Sequence, residues 1–136
     1  MEYTKMTDVT KMLADAMENG LLDNIVDMFK HDKGLYEYVD DLMTDERMRV
    51  RIGTTALLEC LRKDDPENIT KASPCILPLL KDRNPVIRGD AAYALGLIGD
   101  KNAIPFLEEI TGDADENVGI IAKEAIEDIL STTESI

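Results

Sequence analysis

One histidine, two cysteines and several paired carboxylates are the residues of this chain whose types could do chemistry. An imidazole beside a carboxylate can serve a catalytic triad or a metal ion, but both need further groups converging on the same point. His31 is followed by Asp32, and no second histidine exists to share an ion or replace it as a base. It reads instead as an exposed residue near a helix C-terminus, where positive charge is favoured. Cys60 and Cys75 lack the C-x-x-C spacing of a zinc site or a disulfide framework, so buried free thiols are expected. Asp40 with Asp41, Glu108 with Glu109, and Asp113 and Asp115 with Glu116 could bind calcium or pair as acid and base. Asp113 and Asp115 fit better as helix caps. No glycine-rich loop precedes a helix, since Gly96 and Gly99 fall at a helix end, so a phosphate cradle is not indicated. The chain reads as non-enzymatic, with no catalytic residue, metal or cofactor.

The elements that position these residues are copies of one unit, clearest from Asp82 to Asp100. Asn84 can cap free backbone N–H groups, and Pro85 suits the first helical position, where its missing N–H would have been unpaired. Ile87, Ala91, Ala94, Leu95 and Ile98 then recur at three- and four-residue spacings, one buried stripe of a helix. Gly99 supplies a left-handed stop. An offset of 31 residues brings Asp113, Val118, Ala122, Ala125, Ile126 and Ile129 onto Asp82, Ile87, Ala91, Ala94, Leu95 and Ile98. An offset of 37 in the other direction brings Asp45, Val50, Arg51, Leu58 and Leu61 onto Asp82, Ile87, Arg88, Leu95 and Ile98. A period in the thirties with two helices per unit predicts an α-solenoid, because no single unit can bury its apolar face alone.

At these residues the chain resembles the HEAT-repeat family, in particular the short bacterial and archaeal type also found in phycobilin lyases. The pattern D-x-N-P-x-V-R-x-x-A-A-x-A-L-G-x-I-G-D appears as Asp82, Asn84, Pro85, Ile87, Arg88, Ala91, Ala92, Ala94, Leu95, Gly96, Ile98, Gly99 and Asp100. The resemblance implies an all-α, right-handed alpha-alpha solenoid of about three helix pairs. It implies that Arg51 and Arg88 pair with acids of neighbouring units, with anion recognition as the other use of those arginines. Gly119 stands where the last copy would carry the arginine, and Thr54 where the first would carry alanine. A lyase or lyase-accessory role is the alternative function that the resemblance implies. The repeated His-Glu pairs of HEAT-like deoxyhypusine hydroxylases are not matched.

One domain spanning 1–136 is expected: an N-terminal helical cap over 1–34 and repeats over 35–63, 72–100 and 103–131. The cap helices carry Val9 to Met17, closed by Asn19 and Gly20, and Leu22 to Phe29, ending near Gly34. Repeat one has helices from Tyr36 to Met43 and from about Glu46 to Arg62. Asp64 to Lys71 reads as a polar loop or a single helical turn, and as the hinge. Ser73 is expected to cap the next helix, with Pro74 at its first position and Pro78 bending it. The last helix should run from about Glu116 to Leu130, with Ser131 to Ile136 frayed.

With 136 residues, six aromatics (four Tyr, two Phe) and no Trp, the core must be aliphatic and methionine-rich. A net charge of −13 repels phosphate backbones, so nucleic acid is disfavoured outside Arg47, Arg49 and Arg51. No apolar run approaches the roughly 20 residues of a membrane span, and the polar start lacks the form of a leader segment, so a cytoplasmic location is expected. Outward positions on the three second helices are Arg49, Ile52 and Glu59, then Gly89 and Tyr93, then Asn117, Ile120 and Glu124. The partner-binding strip is expected from Arg49, Ile52, Glu59, Tyr93, Ile120 and Glu124, on the concave face or continuing to the end face. Arg51, Asp82, Asn84, Pro85 and Arg88 are expected to be structural. The expected function is a scaffold for a protein partner, acting as monomer or homodimer.

Overall fold

The computed structural model describes residues 2–134, with side chains over 8–132, and is helical throughout, with no strand among them. α1 (Glu2–Glu18) and α2 (Leu22–His31) are separated at Gly20, whose φ of 77° only glycine adopts cheaply. Three helix pairs follow. Their second members are regular: α4 (Met48–Asp64), α6 (Pro85–Ile98) and α8 (Glu116–Glu134). Asn84 and Gly99 bound α6 as predicted, Asn84 Oδ1 accepting from the Val86 N–H and Gly99 adopting φ 76° while its N–H bonds the Leu95 carbonyl.

First members begin as tight 3₁₀ turns: Lys33–Tyr38 leads into α3 (Val39–Met43), Ile69–Ala72 into α5 (Ser73–Ile76), and Lys101–Ala103 into α7 (Ile104–Glu109). Asp32 and Asp100 draw in the N–H two residues on, at Gly34 and Asn102, which tightens the first and last of these turns. Pro78 removes a donor, and the chain reverts to 3₁₀ over Leu77–Lys81. Ser73 does not cap: it is the first residue of α5, buried, and its hydroxyl has no partner among the described residues. At the far end, helix continues through Ser131 to Glu134, so those residues are not frayed, and Ser135 and Ile136 lie outside the described residues.

Between the two helix layers lies a continuous aliphatic core. Val39, Leu42, Ile69, Ile76 and Leu107 from the first layer meet Leu57, Leu58, Leu61, Leu95, Val118 and Ile129 from the second, all buried. Each such side chain contributes roughly 1.5–3 kcal/mol on removal from water. The cap closes the first repeat by placing α1 and α2 on α4, with Leu13, Ile25 and Phe29 fully buried. Arg47 adds a polar tie, its guanidinium reaching Asp15 on α1 at 2.9 Å and Asp45 at 3.0 Å.

The segment expected to hinge is anchored instead. Asp65 is 4% exposed and accepts from Tyr36 Oη, Lys33 Nζ and Asn68 Nδ2, each at 2.9 Å. Its backbone carbonyl also takes the N–H groups of Asn68 and Ile69. Tyr36, itself fully buried, stacks edge-on against Phe29 with ring centroids 5.2 Å apart. One carboxylate thus joins the cap, the first repeat and the turn into the second. In the last turn of α4, just before Asp65, Arg62 spans past α6 to the hydroxyl of Thr132 on α8 at 3.0 Å.

The two seams between second helices differ for a reason visible in their residues. α6 packs far more extensively on α8 than on α4. A Cβ built on Gly96 would lie 3.1 Å from Ala125 Cα, and one on Gly89 3.2 Å from Ile121 Cδ1, so absent side chains let these helices close together. Gly89, Ala92 and Gly96 are the small positions on α6, whereas the repeat offset puts Ile52, Thr55 and Glu59 there on α4. Bulkier groups hold the α4–α6 seam apart.

Gly119 is likewise a point of close approach. A Cβ there would come within 2.6 Å of the Thr111 carbonyl oxygen. Restoring the repeat's arginine by Gly119→Arg should therefore lower stability, by about 1–2 kcal/mol once the gain in helix propensity offsets part of the crowding. Urea melts of the two chains measure this, and a variant as stable as the parent would refute the packing argument.

Candidate functional site

Where α4 and α6 stand apart, a hollow of about 180 Å³ opens between them. α4 contributes Met48, Arg51, Ile52, Thr54, Thr55 and Leu58, α6 contributes Asp90, Tyr93 and Ala94, and Met43 closes one side. A second hollow, about 230 Å³, lies between α6 and α8 and is lined by Tyr93, Ile121, Glu124, Ala125, Glu127 and Asp128. Tyr93 belongs to both, so the two form one surface on the second-helix face. Exposure is high for apolar groups here: 63% for Ile52, 65% for Met48 and 49% for Tyr93.

Of the six strip residues, Ile52, Tyr93 and Glu124 line this surface. Arg49 and Glu59 are exposed on α4 but line neither hollow, and Arg49 leans toward the Glu18 carbonyl at 3.5 Å. Ile120 faces elsewhere, into a depression formed with Thr111–Ala114, Glu116, Gly119 and Lys123. Gly89 does not point outward but is buried under α8. Asp90 and Ile121 also line this surface although the expected strip of six does not include them, and the offset of 31 residues, which pairs these two with each other, was the signal that joins them to it.

The arginines divide in role. Arg88 grips both oxygens of Asp113 at 2.9 Å each, and its third nitrogen bonds the carbonyls of Asp82 and Arg83 at 2.8 and 3.1 Å. Those donors hold the Asp113 carboxyl below the usual carboxylate range, joined by the Asp115 N–H. Arg51 makes the equivalent bonds to the carbonyls of Asp45 and Glu46, at 2.7 and 2.8 Å, but forms no ion pair among the described residues. Asp82 and Asn84 stay in turn-forming roles: Asp82 accepts from the Asn84 N–H, as Asp113 does from Asp115. Asp115 caps α8 through the N–H groups of Asn117 and Val118. With Gly119 in the last copy, the arginines do not form a ladder along the whole stack.

No group of three or more His, Cys, Asp or Glu side chains among the described residues is arranged to hold a metal ion. His31 ends α2, exposed, with Nδ1 2.8 Å from the Asp27 carbonyl. A depression of about 500 Å³ on the first-helix side meets Glu37, Tyr38, Lys71, Pro74 and Cys75. Its thiol faces the Ala72 carbonyl at 3.2 Å, and burial pushes it up to about 12, which keeps it protonated and poorly nucleophilic. Cys60 and Cys75 are free and only partly buried. No helix of the described residues is long and apolar enough to cross a membrane.

Stacked helix pairs, a cap over the first pair and an open surface along the second helices define the chain as an α-solenoid. The family of HEAT repeats matches residues 39–127, from the start of α3 to within α8, and the chain belongs to that family. No curated protein matches it.

Proposed function

We propose that the chain is a non-catalytic interaction scaffold that holds a protein partner against the face formed by α4, α6 and α8. The observation that carries this reading is the pair of adjoining hollows sharing Tyr93, with Ile52 and Met48 exposed beside them. Contiguous exposed apolar surface on a solenoid face is what a partner covers. The first hollow, at about 180 Å³, falls below the roughly 300–1,000 Å³ of pockets that enclose small ligands and suits a side chain.

The end face is the competing surface, because Phe106, Ile120 and Leu130 of the last repeat are 43, 47 and 45% exposed. Yet the small positions that let α6 accept α8 are occupied on α8 by Ile120, Lys123 and Glu127, which oppose a further close-packed helix. Two double variants separate the faces. Ile52→Ala with Tyr93→Ala should weaken capture of the native partner by about tenfold or more without altering the melting curve, and Ile120→Ala with Leu130→Ala should leave it unchanged. The reverse pattern would sink the reading. Light scattering decides whether that partner is a second copy.

A further inference from the structure

We propose that the second-helix face docks a cationic segment bearing one apolar anchor, the anchor seated between α4 and α6 and its flanking Lys or Arg groups held by Glu124, Glu127 and Asp128. This rests on the reading of that face as the partner surface and adds the partner's chemistry. Two independent features of the surface lead to it. The α4–α6 hollow, walled by Ile52, Met48 and Tyr93, has room for an aliphatic side chain. Immediately across Tyr93, three carboxylates stand along α8 with no ion pair from any described residue.

Nearby cations do not neutralise them. Arg62 donates to the Thr132 hydroxyl, Arg88 is spent on Asp113, and Arg51 donates to two backbone carbonyls, and neither these nor Lys123 form an ion pair with the three among the described residues. A neutral partner covering the second hollow would strip water from three carboxylates with no compensating charge, which is costly. A cationic one replaces that water with charge-assisted hydrogen bonds. The net charge of −13 steers such a segment inward and repels anionic ones, phosphate backbones included.

The probe is a short fluorescent peptide of alternating Lys and Arg around one central Leu, compared with versions carrying Ala for Leu and Glu for the basic residues. Anisotropy gives affinity, and backbone amide shifts of the labelled protein give location. The Leu peptide is expected to shift resonances around Ile52, Tyr93, Ala94 and Ile121 and to weaken about fivefold or more when NaCl rises from about 50 to about 500 mM. The Ala peptide should bind several-fold more weakly, and the Glu peptide not measurably. Neutralising Glu124, Glu127 and Asp128 together (E124Q, E127Q, D128N) should cost about tenfold or more in affinity. An equal-charge control, D23N with D64N and E67Q, should stay within about twofold, which separates a site from diffuse attraction to an acidic protein. Equal losses in the two triple variants, or equal binding of the Leu and Ala peptides, would overturn the proposal. If the Glu peptide shifts the same groove resonances, the charge chemistry fails while the partner face stands. If shifts fall outside the groove and Tyr93→Ala changes nothing, both fail.

Discussion

Replacing Asp65 with alanine should destabilise the fold by about 3 kcal/mol, the cost of leaving a buried hydrogen-bonded charge network without its acceptor. Tyr36 Oη would lose its acceptor inside the core, Lys33 would lose its counter-charge, and the turn into the second repeat would lose its tie to Asn68. The dependence on pH gives a second readout. Burial alone would raise the Asp65 carboxyl, but donation from Asn68, Lys33 and Tyr36 outweighs it and leaves the group below its ordinary 3.8. In the unfolded chain it binds its proton more readily, so its contribution is fully present above about pH 4 and is lost as pH falls through the lower folded value. Parent and Asp65→Ala melts should therefore lie far apart at neutral pH and approach each other below pH 3.8. A constant separation down to strong acid would mean that charge at Asp65 is not what holds the turn.

The second large effect belongs to the α6–α8 seam. Gly96→Leu would drive a side chain into Ala125, whose Cα and Cβ already stand 3.1 Å from where a first carbon would be. Such overpacking typically costs about 1–3 kcal/mol, and a backbone atom as the obstacle places this case near the upper end. The loss should be local in its first stage: amide exchange should accelerate along α7 and α8 while α1, α2 and α4 keep their protection. Uniform acceleration across the chain would contradict a seam confined to the last two repeats.

How legible these features were in the sequence follows from how far apart their causes lie. Asn84, Pro85 and Gly99 act on their own turn, so the bounds of α6 could be read directly. The repeat offset is a property of the sequence too, and it yielded the stacking order. Asp65 is different. Its surroundings, a proline and polar neighbours, look like solvated loop, and what buries it comes from Lys33 and Tyr36, over two helices upstream in another unit. Gly119 read as a lost arginine, whereas the determining contact is with a carbonyl on the preceding turn. In the candidate site, Tyr93 and Ile52 were found from a helical wheel, but choosing Ile121 over Ile120 required knowing the rotation of α8 against α6. The hollow itself depends on the contrast between Ile52, Thr55, Glu59 and Gly89, Ala92, Gly96, which becomes meaningful only when seams are compared.

A row of repeats normally has two free ends, and each end unit can detach by breaking one interface. The bond from Arg62 to Thr132 adds one exposed side-chain link between the first and third repeats, past the second. Removing the final helix then breaks this link together with the α6–α8 seam. So short a stack gains from even one such link, because two of its three repeats are ends.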